Sequence, residues 1–212
     1  FHWLLTGVKS NEQTNATTTQ FFNPQTGDWA GDLLKRFELP AGILGPLSQP
    51  GTKLGTLCSS VANDTGLKNV QVVLPGTHDT ASAVAAVPAA GPASEKPNWC
   101  YISSGTWSLM GVELPEPHIT ETALAYNFTN EGGIGGTFRF LKNISGLWLL
   151  QESLRCWREH DGEDISYAEA VARAKAARPF QSWVDPDAPD FNTPVSMPEA
   201  ISRYCANTGQ VV

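Results

Sequence analysis

Two short stretches carry side chains that could do chemistry on a bound ligand. The first is Pro75-Gly76-Thr77-His78-Asp79-Thr80, where a carboxylate stands between an imidazole and a hydroxyl. The second is Ser103-Ser104-Gly105-Thr106, three hydroxyls around a glycine, a phosphate-sized turn rich in hydrogen-bond donors. A positioned carboxylate can orient a substrate hydroxyl and accept its proton. Asp is also a favoured helix N-cap, because its oxygen satisfies a free amide of the first turn. Residue chemistry alone leaves both readings of Asp79 open.

The surrounding elements must hold these groups. Val72-Val73-Leu74 is an apolar strand, and Thr80 to Val87 is Ala-rich and helix-permissive until Pro88 stops it. Asp79 therefore falls at a strand-to-helix corner. Trp99 to Val112 predicts a hairpin, with Ser104-Gly105 between two β-prone runs. Between corner and hairpin, Pro88 to Pro97 (PAAGPASEKP) has the composition of a linker. The domain boundary is placed there, giving domains of 1–90 and 91–212.

Elsewhere the patterns are ordinary for a mixed α/β protein. Phe1 to Gly7 reads as a helix end, and Thr17-Thr18-Thr19 as an extended or loop segment. Asp28 is expected to cap a helix carrying Leu33, Leu34 and Phe37. Gly51 to Leu57 suits a strand and Val61 to Gly66 a helical turn. Leu124 to Asn130 predicts a strand, followed by Glu131-Gly132-Gly133-Ile134-Gly135-Gly136. Those glycines suit a tight turn or a close backbone approach to a ligand, and the Walker ending GK[ST] is absent. From Leu141 to His160 the apolar spacing is helical, which would put Asn143 and Gln151 two turns apart beside an apolar face. Ser166-x-x-Glu169 is a capping box, and Met197-Pro198-Glu199 opens a last helix.

Composition narrows the class. The chain has 212 residues, 41% of them hydrophobic, with seven Trp and nine Phe, enough for a real core. A formal charge of −7 without a basic run argues against a nucleic-acid or anionic-membrane surface. No apolar run approaches the roughly 20 residues of a membrane span. The four cysteines, Cys58, Cys100, Cys156 and Cys205, are far apart and form no CxxC pair. They read as free thiols in a reducing, cytoplasmic setting.

The stretches GTHDTASAVAAVP and WCYISSGTWSLMGVE resemble the region around the catalytic aspartate of the FGGY carbohydrate kinases. YNFTNEGGIGGTFRFLKNISGLWLLQES is similar to the members that act on L-rhamnulose, and FHWLLTG, TNATTTQFF and TGDWAGDLLKRF follow in family order. The resemblance implies an α/β, actin-like and ribonuclease H-like fold, with parts of two domains and a cleft between them. It implies transfer of a phosphoryl group from ATP, with Mg²⁺, to the C1 hydroxyl of L-rhamnulose in rhamnose catabolism. By the same resemblance Asp79 is the catalytic base, and His78, Asp79, Thr80 and Asn143 bind the sugar. Ser104, Gly105, Thr106 and Gln151 contact ATP, and no metal ligand is assigned. The family's Asp-x-Gly phosphate motif and Gly-rich adenosine segment are not found in these residues. The chain is therefore expected to be the central piece of a longer kinase, inactive by itself.

Overall fold

Short elements dominate the first hundred residues of the computed structural model, which describes residues 1–89, 91, 93–94 and 96–211. Helix α1 (His2–Thr6) leads to strand β1 (Asn11–Glu12), helix α2 (Gln13–Ala16) and a 3-10 turn at Thr17–Thr19. The turn replaces the extended segment expected from three successive threonines. Each threonine hydroxyl donates to a carbonyl three residues back, on Thr14, Asn15 and Ala16, and this holds the backbone curled. Strands β2 (Phe22–Asn23) and β3 (Asp28–Trp29) pair antiparallel, followed by helix α3 (Gly31–Arg36). Asp28 does not cap α3. It lies in β3, where its Oδ1 accepts the amide of Trp29, and α3 starts after Ala30 without a side-chain cap. Of the three apolar residues expected on that helix only Leu34 is buried.

Strand β4 (Leu47–Ser48) runs parallel to β1. Strand β5 (Lys53–Thr56), helix α4 (Ser59–Thr65) and strand β6 (Gln71–Val73) follow, with β5 and β6 antiparallel. Helix α5 (Asp79–Ala85) comes next. The expected linker at 88–97 and the boundary at 90/91 fall partly on Ala90, Pro92 and Glu95, which lie outside the described residues.

A four-stranded sheet follows, made of β7 (Tyr101–Ser103), β8 (Ser108–Leu114), β9 (Phe128–Gly132) and β10 (Phe138–Ile144), in the order β7-β8-β10-β9. Helix α6 (Glu121–Ala125) precedes β9. Two expectations are corrected here. Leu124 and Ala125 belong to α6, because the Thr120 hydroxyl accepts the Ala123 amide and caps a helix before the strand begins. Residues 141–144 are strand, not helix. Along β10, Arg139 and Leu141 are buried with a period of two, and Phe140 stacks on Phe128 of β9 with centroids 4.6 Å apart. Pairing Phe138 with Gly132 and Lys142 with Phe128 makes β9 and β10 a hairpin. Gly135 and Gly136 take φ of +79° and +83° in its turn, so these glycines serve the chain reversal.

The chain divides into two compact units. The first comprises Phe1–Ser103 and Met110–Lys142, the second Ser104–Leu109 and Asn143–Val212. Helices α7 (Trp148–Cys156), α8 (Tyr167–Ala176) and α9 (Met197–Asn207) belong to the second, with a π-helical turn at Trp157–Asp161 continuing α7. Ser166 and Ser196 accept the amides of Glu169 and Glu199 and start α8 and α9. The core of this unit is Ala188, Phe191, Met197 and Ala200, with Trp148, Leu149, Ile201 and Tyr204 packed against it. Full burial of side chains such as Phe191 and Met197 stabilises by about 1.5–3 kcal/mol each. The Trp148 indole donates to the Phe191 carbonyl at 3.2 Å and fixes α7 on that core.

Candidate active site

In the first unit the functional corner is built around a buried carboxylate. Glu12, at 4% exposure, accepts the Thr14 amide at 2.8 Å, the Thr14 hydroxyl at 2.5 Å and the Asn15 amide at 3.3 Å. It also accepts the amide and the hydroxyl of Thr77, both at 2.8 Å. Burial pushes this carboxyl up, but the hydrogen bonds from Thr14 and Thr77 outweigh it and hold Glu12 below its ordinary value. The Thr14 hydroxyl in turn accepts the His78 amide at 3.2 Å. One carboxylate thus ties the Pro75–Asp79 turn to β1 and α2 across 65 residues of sequence.

His78 is the N-cap residue of α5 and Asp79 its first helical residue, so Asp79 does not cap the helix. Its carboxylate is 98% exposed. One oxygen accepts the Thr80 amide at 2.7 Å and lies 3.4 Å from the Thr80 hydroxyl. Thr80 itself is buried. The arrangement holds one oxygen against the helix start and leaves the other exposed to solvent.

Behind His78 lies Arg139, fully buried on β10. Its Nε donates to the Gly132 carbonyl at 3.1 Å, and its Nη2 donates to Glu131 Oε2 at 3.0 Å and to His78 Nδ1 at 3.3 Å. Burial drives the nearby Tyr101 hydroxyl up to about 12, against the opposing pull of Arg139 and with smaller upward contributions from Glu131 and Glu113. Glu12, Glu131 and Arg139 were not candidates from sequence. Glu12 stands in a polar run, and Arg139 was hidden by reading the following residues as helix. The alternation of Phe138, Arg139, Phe140 and Leu141 was the available signal.

The second unit holds the other predicted group. The Gly105 carbonyl accepts the Leu147 amide at 2.9 Å and the Thr106 carbonyl accepts the Trp148 amide at 3.1 Å, so the hydroxyl-rich turn satisfies the first free amides of α7. In a trans peptide a carbonyl and the next amide point opposite ways. The Thr106 and Trp107 amides are accordingly directed away from the α7 amides, and Ser104 and Thr106 are exposed. Gly146 makes the approach possible. A Cβ there would fall inside contact distance of the Ser108 hydroxyl and 2.6 Å from the Gly105 carbonyl. Gln151 lies half-buried on the first turns of α7. Asn143 lies on β10, exposed, and not on the helix that the periodicity predicts.

The structure thus brings His78, Asp79 and Thr80 together in one unit, and places Ser104, Gly105 and Thr106 at the start of the helix that carries Gln151 in the other. Donors without basic side chains suit phosphate oxygens held by hydroxyls and amides. Among the described residues no three His, Cys, Asp or Glu side chains converge to hold a metal ion. None of the described helices is long and apolar enough to cross a membrane.

The chain with this aspartate corner and hydroxyl-rich turn belongs to the FGGY family of carbohydrate kinases. The family's N-terminal domain matches residues 1–86 and its C-terminal domain residues 100–211. Among individual proteins the chain is similar to the rhamnulokinase of Bacteroides thetaiotaomicron, 45% identical over 210 residues, covering 99% of this chain and 41% of that protein. The rhamnulokinase of Halalkalibacterium halodurans is also 45% identical over 210 residues, with 99% and 42% covered. The chain therefore spans about two-fifths of the length of these curated relatives. Its fold is similar to that of ligand-bound xylulose kinase from Lactobacillus acidophilus, with a TM-score of 0.64 at 17% identity over 83% of this chain and 34% of that one. A carbohydrate kinase from Novosphingobium aromaticivorans gives 0.58 at 20% identity, covering 97% and 47%. These likenesses agree with the actin-like, ribonuclease H-like fold implied by the sequence motifs.

Proposed function

We propose that the full-length protein is an ATP-dependent, cytoplasmic kinase that phosphorylates L-rhamnulose on its C1 hydroxyl. Residues 1–90 form the C-terminal part of its first domain and 91–212 the N-terminal part of its second. The observation that carries this reading is the Asp79 carboxylate, exposed at a strand-to-helix corner with one oxygen fixed by Thr80 and the other directed outward. In the reaction the sugar oxygen attacks the γ-phosphorus of ATP, the bond to the β,γ-bridging oxygen breaks, and the sugar proton passes to Asp79. A carboxylate is a weak base for an alcohol. It serves by orienting the hydroxyl and taking the proton late, as bonding to phosphorus makes that oxygen acidic. Transfer through a loose transition state depends chiefly on positioning and charge stabilisation.

His78, Thr80 and Asn143 complete the sugar contacts. Ser104, Gly105 and Thr106 donate to phosphate oxygens through hydroxyls and outward amides, and Gln151 contacts the nucleotide. Magnesium bound with the nucleotide would supply charge neutralisation on the phosphates. The test is a coupled assay of the full-length protein with MgATP and L-rhamnulose, L-fuculose or L-xylulose, beside an Asp79→Asn control. L-Rhamnulose should give the highest kcat/KM, and the control should lose turnover by about 10²–10⁴-fold with sugar affinity little changed. A control that turns over like wild type refutes the base, and preference for another ketose refutes the substrate.

A further inference from the structure

We propose that Arg139 is a positioning residue for the sugar site. It holds the His78 imidazole as the Nε2–H tautomer, so that His78 meets the substrate as a hydrogen-bond donor. The inference rests on the reading of His78 as a sugar contact.

It follows from donor and acceptor inventory. A guanidinium has five N–H donors and no acceptor. Its Nη2 stands 3.3 Å from His78 Nδ1, and that contact is a hydrogen bond only if Nδ1 offers a lone pair. A proton on Nδ1 would set one N–H against another. The competing influence is the Asp79 carboxylate, 3.8 Å from the same nitrogen, which would favour a proton there. Asp79 loses the contest on distance and on solvent. It lies beyond hydrogen-bond range and is 98% exposed, whereas Arg139 is fully buried and cannot turn its donors to water.

Arg139 is itself over-determined. Glu131 supplies the counter-charge at 3.0 Å through Nη2, and the Gly132 carbonyl receives Nε at 3.1 Å. Both partners belong to β9, paired residue by residue with β10, Arg139 opposite Glu131. The hairpin therefore fixes the guanidinium plane before any ligand arrives. His78 is held from its backbone as well, since its amide donates to the Thr14 hydroxyl. With Nδ1 engaged behind, the remaining ring donor is Nε2–H on a side chain that is 21% exposed. The division of labour beside the base is then explicit. Asp79 accepts the proton of the reacting hydroxyl, while His78 donates to a sugar oxygen and does not compete for that proton.

The test uses the full-length protein labelled with ¹⁵N-histidine. The His78 resonances are assigned by their loss in His78→Gln. Removing Arg139 alone would strand a buried carboxylate, so the variant is the double Arg139→Met/Glu131→Gln, which keeps side-chain length but removes both charges and the donor that faces Nδ1. In the wild type, Nδ1 should resonate as an unprotonated nitrogen and Nε2 as a protonated one. In the double variant the imidazole should become a tautomer mixture. KM for the sugar should then rise in inverse proportion to the remaining Nε2–H population, roughly twofold for an even mixture, with KM for ATP unchanged. An Nδ1–H imidazole in the wild type, or a double variant with wild-type tautomer and sugar KM, overturns the proposal while leaving His78 a sugar contact. If His78→Gln itself leaves the sugar KM unchanged, the sugar-contact reading fails and the proposal falls with it.

Discussion

Replacing Glu12 by Gln should loosen the catalytic corner without touching any residue that meets substrate. The magnitude follows from the five donors converging on the carboxylate. Oε2 receives the Thr14 hydroxyl, the Asn15 amide and both donors of Thr77, and Oε1 receives the Thr14 amide. A glutamine placing its oxygen at the crowded position must set its NH₂ against the Thr14 amide. One charge-assisted bond is lost, at about 1.5–3 kcal/mol. The others fall from charged to neutral strength, roughly half. The lost bond alone should destabilise the unit holding the corner by about 1.5–3 kcal/mol and the weakened bonds add to it, so at about 2–4 °C per kcal/mol Tm should fall by at least about 3 °C.

The same carboxylate makes a pH prediction. Its pKa is depressed by folding, so its stabilisation is fully present above the ordinary value of 4.5 and is lost as pH falls through the lower folded value. Thermal melts of the full-length protein and of Glu12→Gln, taken from neutral pH down into this acid range, test both statements. The wild type should lose stability toward acid in a window that the variant lacks, and the two curves should converge at the acid end. A variant that melts with the wild type at neutral pH would refute the buried-carboxylate account. So would a variant that keeps the wild-type acid slope. Turnover should fall and sugar KM rise together, because the Thr77 amide donates to Glu12 directly and the His78 amide donates to the Thr14 hydroxyl that Glu12 holds.

Three further outcomes are expected. Thr106→Val keeps β-branching but removes the hydroxyl, and initial-rate kinetics should show a higher KM for ATP or a lower kcat with sugar KM near wild type; an effect confined to sugar would place Thr106 wrongly. Gly146→Ala pushes a Cβ into Ser108 and the Gly105 carbonyl, so it should raise KM for ATP severalfold and cost about 1–3 kcal/mol of stability by overpacking, read by melting and kinetics together. Met197→Ala, at a fully buried core position on α9, should destabilise by about 2–5 kcal/mol in chemical denaturation while leaving the histidine tautomer at His78 unchanged.

What the sequence determined by itself is local. The Asp79 corner, the turn at Ser104-Gly105 and the capping serines at the starts of α8 and α9 are encoded within a few residues of one another. Turn chemistry and cap hydrogen bonds act over that range, so they survive being read in one dimension. Even there the cap went to His78, one residue before Asp79, because helix starts are decided by backbone geometry as much as by side-chain preference. The tertiary structure alone decided which buried charges hold the corner. Glu12 meets Thr77 across 65 positions, and Arg139 meets His78 across 61. Neither pairing is written locally: Glu12 in its polar run looks solvated until the chain folds over it, and the alternation around Arg139 marks a strand but not its distant partner. The stretch from Leu141 to His160 shows the same limit. Apolar residues at three-and-four spacing there fit one long helix, yet β10, paired with β9, claims the first four as a strand, because backbone hydrogen bonds and the Phe128–Phe140 stack outweigh local periodicity. Asn143 thereby moves from a helix face to a strand end, and only the paired sheet could put it there.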